Sequence, residues 1–78
     1  MKQTEYFELV RRRPDRAMIE DAWILRAIRN PIRETAQTDG RLRRWCAVPE
    51  YGGRYLRVVL LADGETVHNA SFDRSFVP

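Results

Sequence analysis

The sequence predicts a single α+β domain over residues 1–78, with two N-terminal helices packed on one face of a three- or four-stranded antiparallel sheet. Two observations carry that expectation. Apolar residues recur at helical spacing only in the part before Asn30-Pro31, and β-rich runs fill the rest. Between the last two of those runs stands Asp63-Gly64, the strongest short hairpin signal a sequence offers.

The elements follow in order. Thr4 can cap a short helix over "EYFELVRR". Tyr6, Phe7, Leu9 and Val10 would also suit a strand. Pro14-Asp15 is a helix start signal, and Arg16 to Arg29 is helical in pattern up to the stop at Asn30-Pro31. Ala17, Met18, Ala22, Ile24, Leu25 and Ile28 share one broad face of it. Ile19, Trp23 and Ala27 form a second stripe at i, i+4, i+8 that needs its own cover. The first helix, or a partner chain, is expected to provide it. "RETAQ", "RLRRWCAV", "RYLRVVLLA" and "ETVHNASF" read as strands. Turning at Asp63-Gly64 pairs Leu60 with Val67, Val59 with His68 and Arg57 with Ala70. A loop of two or four residues around "EYGGR" then gives the sheet two faces. Trp45, Ala47, Leu56, Val58, Leu60 and Val67 are expected under the helices. Arg44, Cys46, Val48, Tyr55, Arg57, Val59, Leu61, His68, Ala70 and Phe72 are expected on the other side.

Composition narrows the classes. The chain has 78 residues, 44% hydrophobic and 32% charged, which suits a globular domain rather than a disordered one. No apolar run of about 18 residues and no signal-peptide pattern is present, so no membrane and a cytoplasmic location are the expectations. One cysteine, Cys46, cannot make an internal disulfide, and one histidine with one cysteine makes no metal site of usual spacing. No cofactor is called for. The net charge is +3, and thirteen of the fourteen basic residues are arginine. Arginine pairs with phosphate bidentately and stacks on bases, which turns attention to nucleic acid. A codon bias towards arginine would give the same count.

The helix-closing Asn30-Pro31, the Asp39-Gly40-Arg41 turn and the run Gly53-Arg54 with Leu56-Arg57-Val58-Val59 resemble the BrnT/RelE-like toxin superfamily and its small bacterial relatives. That resemblance implies an α+β fold, metal-independent RNA cleavage that is ribosome-dependent or free, and an antitoxin-like protein partner. It also implies that arginine, lysine, tyrosine or histidine on the concave sheet face and near the C-terminus does the chemistry; the one lysine here is Lys2.

The segment "TVHNASFDR" holds the only histidine. Attack by a ribose 2′-hydroxyl needs a base, an acid and stabilisation of phosphoryl charge. His68 suits the first role and Arg57 the last, with Tyr55 and Arg44 beside them. The plainer alternative is a cross-strand histidine that only faces solvent. Asn69 and Asp73 fall on the helix side in this register, and an Arg54–Asp73 pair would make them a structural clasp. Arg11, Arg12 and Arg13, with Arg16, form a basic run that suits a phosphate backbone or simply a solvated face. The function expected is a small RNA- or ribosome-directed module of the toxin type, with endoribonuclease activity open. A non-catalytic interaction domain is the alternative. It would bind a partner or a second copy through the Ile19/Trp23 stripe or the open sheet face.

Overall fold

The computed structural model covers residues 1–78 and has two short helices and one four-stranded antiparallel sheet in the order β1-β2-β3-β4. Helix α1 spans Glu5–Val10 and α2 spans Asp21–Arg29; the strands are β1 Arg33–Ala36, β2 Leu42–Val48, β3 Arg54–Leu60 and β4 Val67–Phe72. No helix is long and apolar enough to cross a membrane.

Thr4 caps α1 as its residue type suggests, its hydroxyl oxygen accepting from the Phe7 amide at 3.1 Å. Phe7 and Val10 point into the core. Just before the helix, the backbone pairs in parallel with β4: the Thr4 amide donates to the Val67 carbonyl, and the Val67 amide to that of Lys2, both at 2.9 Å. This segment covers one edge of the sheet. The other edge, β1, is exposed along all four residues.

Helix α2 starts later than the sequence pattern suggests. Residues 14–18 form turns, with the Arg16 and Ala17 amides both bonded to the Arg13 carbonyl, and Glu20 is extended ahead of the first helical turn. Ile19, in the stretch just before α2, is buried in the core all the same. Trp23, Ile24 and Ala27 are the buried stripe of α2, whereas Ala17 and Ala22 face solvent. The Ile19/Trp23/Ala27 stripe is therefore not a surface for a partner. Ile19 and Trp23 are 6% and 5% exposed and Ala27 is fully buried. Trp23 lies against Tyr51 and Phe72, with ring centroids 5.9 and 6.2 Å away, and these two rings rather than the first helix are its aromatic cover.

Two register shifts correct the expected faces. Between β2 and β3 the loop has five residues, a 3-10 turn at Pro49–Tyr51 followed by Gly52 and Gly53 at positive φ, so Val48 pairs with Arg54 and Cys46 with Leu56. An odd loop reverses the parity that two or four residues would give. Cys46 and Val48 consequently face the helices, and Trp45 and Ala47 the other side. Between β3 and β4, Leu60 pairs with Val67 as expected, but a bulge at His68 makes Asn69 the partner of Val59. Beyond it every pairing moves by one: Arg57 with Ser71 rather than Ala70, and Val58 with Ala70. Ala70, 1% exposed, joins the core, and the partly buried Phe72 packs against it.

The core beneath the helices thus comprises Phe7, Ile19, Trp23, Ile24 and Ala27 against Cys46, Val48, Leu56, Val58, Leu60, Val67 and Ala70. No buried side-chain polar atom lacks a partner. After β4 the chain turns at Asp73 and returns over the open face, where Phe76 stacks on Trp45 at 5.2 Å and meets Tyr55 at 5.1 Å. That cover explains why Trp45 is buried on the side away from the helices.

Candidate nucleic-acid interface

The open face, once the register is known, holds a groove of about 410 Å³ at the end of the sheet nearest α1. Arg43 and Arg57 come from the two central strands, on the same side of the sheet. Arg43 pairs with Val59, so Arg57 is its diagonal neighbour at about 7–8 Å between Cα atoms. Arg41 enters from the end of the β1–β2 hairpin, whose turn is set by Gly40 at φ 89° and by Asp39 accepting from the Arg41 amide at 3.0 Å. Gln37, Val59, His68, Asn69 and Tyr6 complete the lining, which contains no carboxylate.

The bulge positions His68. Its extra residue lifts the imidazole towards α1, where Nδ1 lies 3.1 Å from the Thr4 hydroxyl and the ring stacks on Tyr6 at 4.9 Å. Thr4 thus caps the helix and orients the histidine with one oxygen. Burial first, and then the charge of Arg41, lower the His68 pKa below its ordinary 6.5, against a smaller opposing pull from Asp39. The imidazole is neutral at pH 7, with a lone pair available to take a proton or to accept a hydroxyl.

The three arginines are unevenly paired. Arg41 meets Asp39 at 3.6 Å with both side chains substantially exposed. Arg43 is met only by Gln37, which accepts from its Nε at 2.7 Å and from Nη2 at 3.2 Å when its amide oxygen is turned that way. Arg57 is half-buried and makes no ion pair of its own. Like charges crowded on one face destabilise each other, and an anion seated among them relieves that cost. Five guanidinium N–H groups per arginine, fixed in a plane, suit phosphate oxygens well.

Of the residues singled out in the sequence, His68 and Arg57 do meet in this groove. Arg44 does not. The parity of β2 sends it to the helix side, where Nε donates to Glu34 at 2.7 Å and Nη1 to the Ile28 carbonyl at 2.9 Å. Tyr55 is on the open face, but at the other end, against Phe76. Arg11 is committed to structure, bonded to Gln3 and Asp21 and lying over the Phe7 ring, while Arg12 and Arg13 project from the turn after α1. The expected Arg54–Asp73 pair is absent. Asp73 instead accepts from the Trp45 indole at 3.0 Å, and Arg54 lies over the Tyr51 ring. Asn69 accepts from Arg16 at 2.6 Å and so ties β4 to the interhelical turn. A clasp exists, with different partners on both sides.

Arg41, Arg43, Tyr6 and Gln37 were not singled out. The signal for the first two was present in "RLRRW", where Arg41 and Arg43 alternate to one side and Arg44 to the other. Choosing between them required the loop parity. Tyr6 carried no signal of this kind, because its role depends on a bulge 62 residues away. No group of three or more His, Cys, Asp or Glu side chains stands close enough to hold a metal ion.

The chain has no significant match among protein-family models, curated proteins or solved structures.

Proposed function

We propose that this protein is a small RNA-directed module of the toxin type that engages the ribose-phosphate backbone in the groove of Arg41, Arg43, Arg57 and His68. The single observation that carries the reading is the convergence of three arginines, a neutral histidine and an aromatic ring in one open groove with no carboxylate in its lining. Arg43 and Arg57 would bind phosphate oxygens, and Tyr6 offers a face for a base. His68 is the group able to receive a proton from a ribose 2′-hydroxyl as that oxygen bonds to phosphorus; the bond to the 5′-oxygen would break, and the departing oxygen would take a proton from solvent in the open groove. The negative charge that gathers on the phosphoryl oxygens would then be met by Arg57. The BrnT/RelE-like resemblance supports the same activity and adds an antitoxin-like protein as partner. A ribosome-bound message is one form the target can take.

A fluorescence-polarisation titration with labelled single-stranded RNA tests the reading. Binding should weaken with salt, and Arg57→Ala should flatten the slope of log K against log[salt] by about 0.7, one phosphate contact to a single strand. His68→Ala should abolish any cleavage while retaining binding. Negligible binding by a folded wild-type protein refutes the reading.

The second reading, a protein-interaction domain, draws on the exposed β1 edge, whose unpaired backbone groups can accept an added strand. A partner docked there would leave Arg57→Ala without effect.

A further inference from the structure

Beside the groove already described lies a second one, also of about 410 Å³, that wraps the β4 edge between Arg54, Arg74 and the interhelical turn. Three arginines line it: Arg16, Arg54 and Arg74. Its one carboxylate, Asp15, is 3.6 Å from Arg16 and is thereby partly neutralised. Arg74 is exposed and has no ion pair. The Arg54 guanidinium lies over Tyr51 at 5.2 Å, and Tyr51 stacks on Phe72 at 4.9 Å and 17°. A planar cation on an aromatic pair is a surface on which a nucleobase stacks.

The two grooves touch at two points. Arg57 of the first is the cross-strand partner of Ser71 of the second. Arg16 of the second donates to Asn69 of the first at 2.6 Å. Each junction has one acidic neighbour: Asp15 lies 3.6 Å from Arg16, and Asp73 feels the charge of Arg57, so at each the carboxylate is set against an arginine. Along β3, Val59 and Arg54 mark the two ends on opposite faces of the sheet, five residues or about 17 Å apart, so a ligand reaching both passes round the β4 edge. That span exceeds one nucleotide and matches a site of about four or more, the lower end of what small single-strand-binding folds occupy.

We propose that the two grooves form one continuous track, so that the ligand is an unpaired RNA segment running from Arg41 and Arg43 past Arg57 and Ser71 to Arg54 and Arg74. The inference rests on the RNA reading above. It adds a binding site, at Arg54 and Arg74, that the chemistry at His68 does not require. Because its contacts are to phosphates and to one stacked base, the second groove confers a length requirement rather than a sequence preference.

The experiment compares a three-nucleotide and a ten-nucleotide labelled RNA of uniform sequence on the wild type and on the Arg54→Ala/Arg74→Ala double variant. Both arginines are exposed, and circular dichroism is the check that the variant folds. The ten-nucleotide RNA should bind wild type at least ten-fold more tightly than the short one. The double variant should lose that advantage, leave the short RNA unchanged and flatten the salt slope for the long RNA by about 1.4, two single-strand contacts. Equal wild-type affinity for both lengths overturns the track while sparing the first groove, as does a double variant that binds the long RNA normally. Failure of both RNAs to bind overturns both readings. Competition by an oligoglutamate of equal charge as effective as by RNA overturns the track in favour of an acidic polypeptide.

Discussion

Replacing Trp23 by alanine probes the centre of the fold and the monomeric state together. Trp23 is 5% exposed and lies against both Tyr51 and Phe72. A buried aromatic removes roughly 150–250 Å² from water, about 4–6 kcal/mol at 25 cal/mol per Å². Measured truncations of buried Trp or Phe to Ala cluster at about 3–5 kcal/mol, since surrounding side chains relax partly into the space. A chain of 78 residues has a total stability of about 4–12 kcal/mol, at roughly 0.05–0.15 kcal/mol per residue. The substitution therefore removes between a quarter and all of it. At about 4–8 °C per kcal/mol for a domain this size, the melting temperature should fall by roughly 12–40 °C. Urea unfolding followed by far-ultraviolet circular dichroism is the assay, and emission from Trp45, the one tryptophan left, gives a second probe. Sedimentation of the same samples reports their oligomeric state. A loss under about 1 kcal/mol, or conversion of a wild-type dimer to a well-folded monomer, would refute the placement of Trp23 in the monomer core.

Glu50 is held down to about 2, chiefly by its two hydrogen bonds from Arg26 at 3.0 and 2.6 Å. Its folded pKa lies below the ordinary 4.5, so its contribution to stability is complete above about pH 4.5 and lost as pH falls towards 2. Glu50→Gln should reduce the pH dependence of urea midpoints in that window. Asp63 behaves alike, lowered from 3.8 to about 2 by the Thr66 hydroxyl and the Thr66 and Glu65 amides. Asp63→Ala should destabilise the β3–β4 hairpin and speed amide exchange at Thr66. His68 should titrate below 6.5 by NMR, and Arg41→Ala should move it upward only in part, because burial is the larger cause. Its depressed pKa means that stability from the neutral ring is present above pH 6.5 and lost below it. Gly52→Ala should cost about 1–2 kcal/mol in chemical denaturation, since φ 68° and ψ 20° place an L-residue in the left-handed region.

The sequence made the sheet legible because turn chemistry is local. Asp63-Gly64, Asp39-Gly40 and Gly52-Gly53 each mark a reversal that a few residues decide, and all three are found between the expected strands. The faces were less legible because parity depends on the count of residues in a turn, which Gly52-Gly53 does not state. A 3-10 turn begun by Pro49 made the β2–β3 loop odd and exchanged Arg43 for Arg44 at the groove. The bulge at His68 had no residue signature either. It lets Val67 and Ala70, three apart, both point into the core, a benefit that only the packed structure reveals. The break before α2 is not marked either: Pro14-Asp15 signals a start, yet residues 14–18 form turns and the helix begins only at Asp21. His68 and Arg57 still meet because His68 follows the inward-pointing Val67 directly, ahead of the point where the pairing shifts.

The parallel bridge between Lys2–Thr4 and Val67 also fixes an order of events during synthesis. Residues Lys2–Thr4 have no backbone partner in the sheet until a strand more than 60 positions later has left the ribosome. Until then α1 is a single short helix, too brief to persist in water, and Phe7 and Val10 have no wall to close against. The β2–β3 hairpin can form early, whereas α1, the stacking of Tyr6 on His68 and the groove they border are completed last. Loop closure over such a separation slows folding, so removing the bridge should affect the rate at which the groove assembles more than the rate at which the hairpins form.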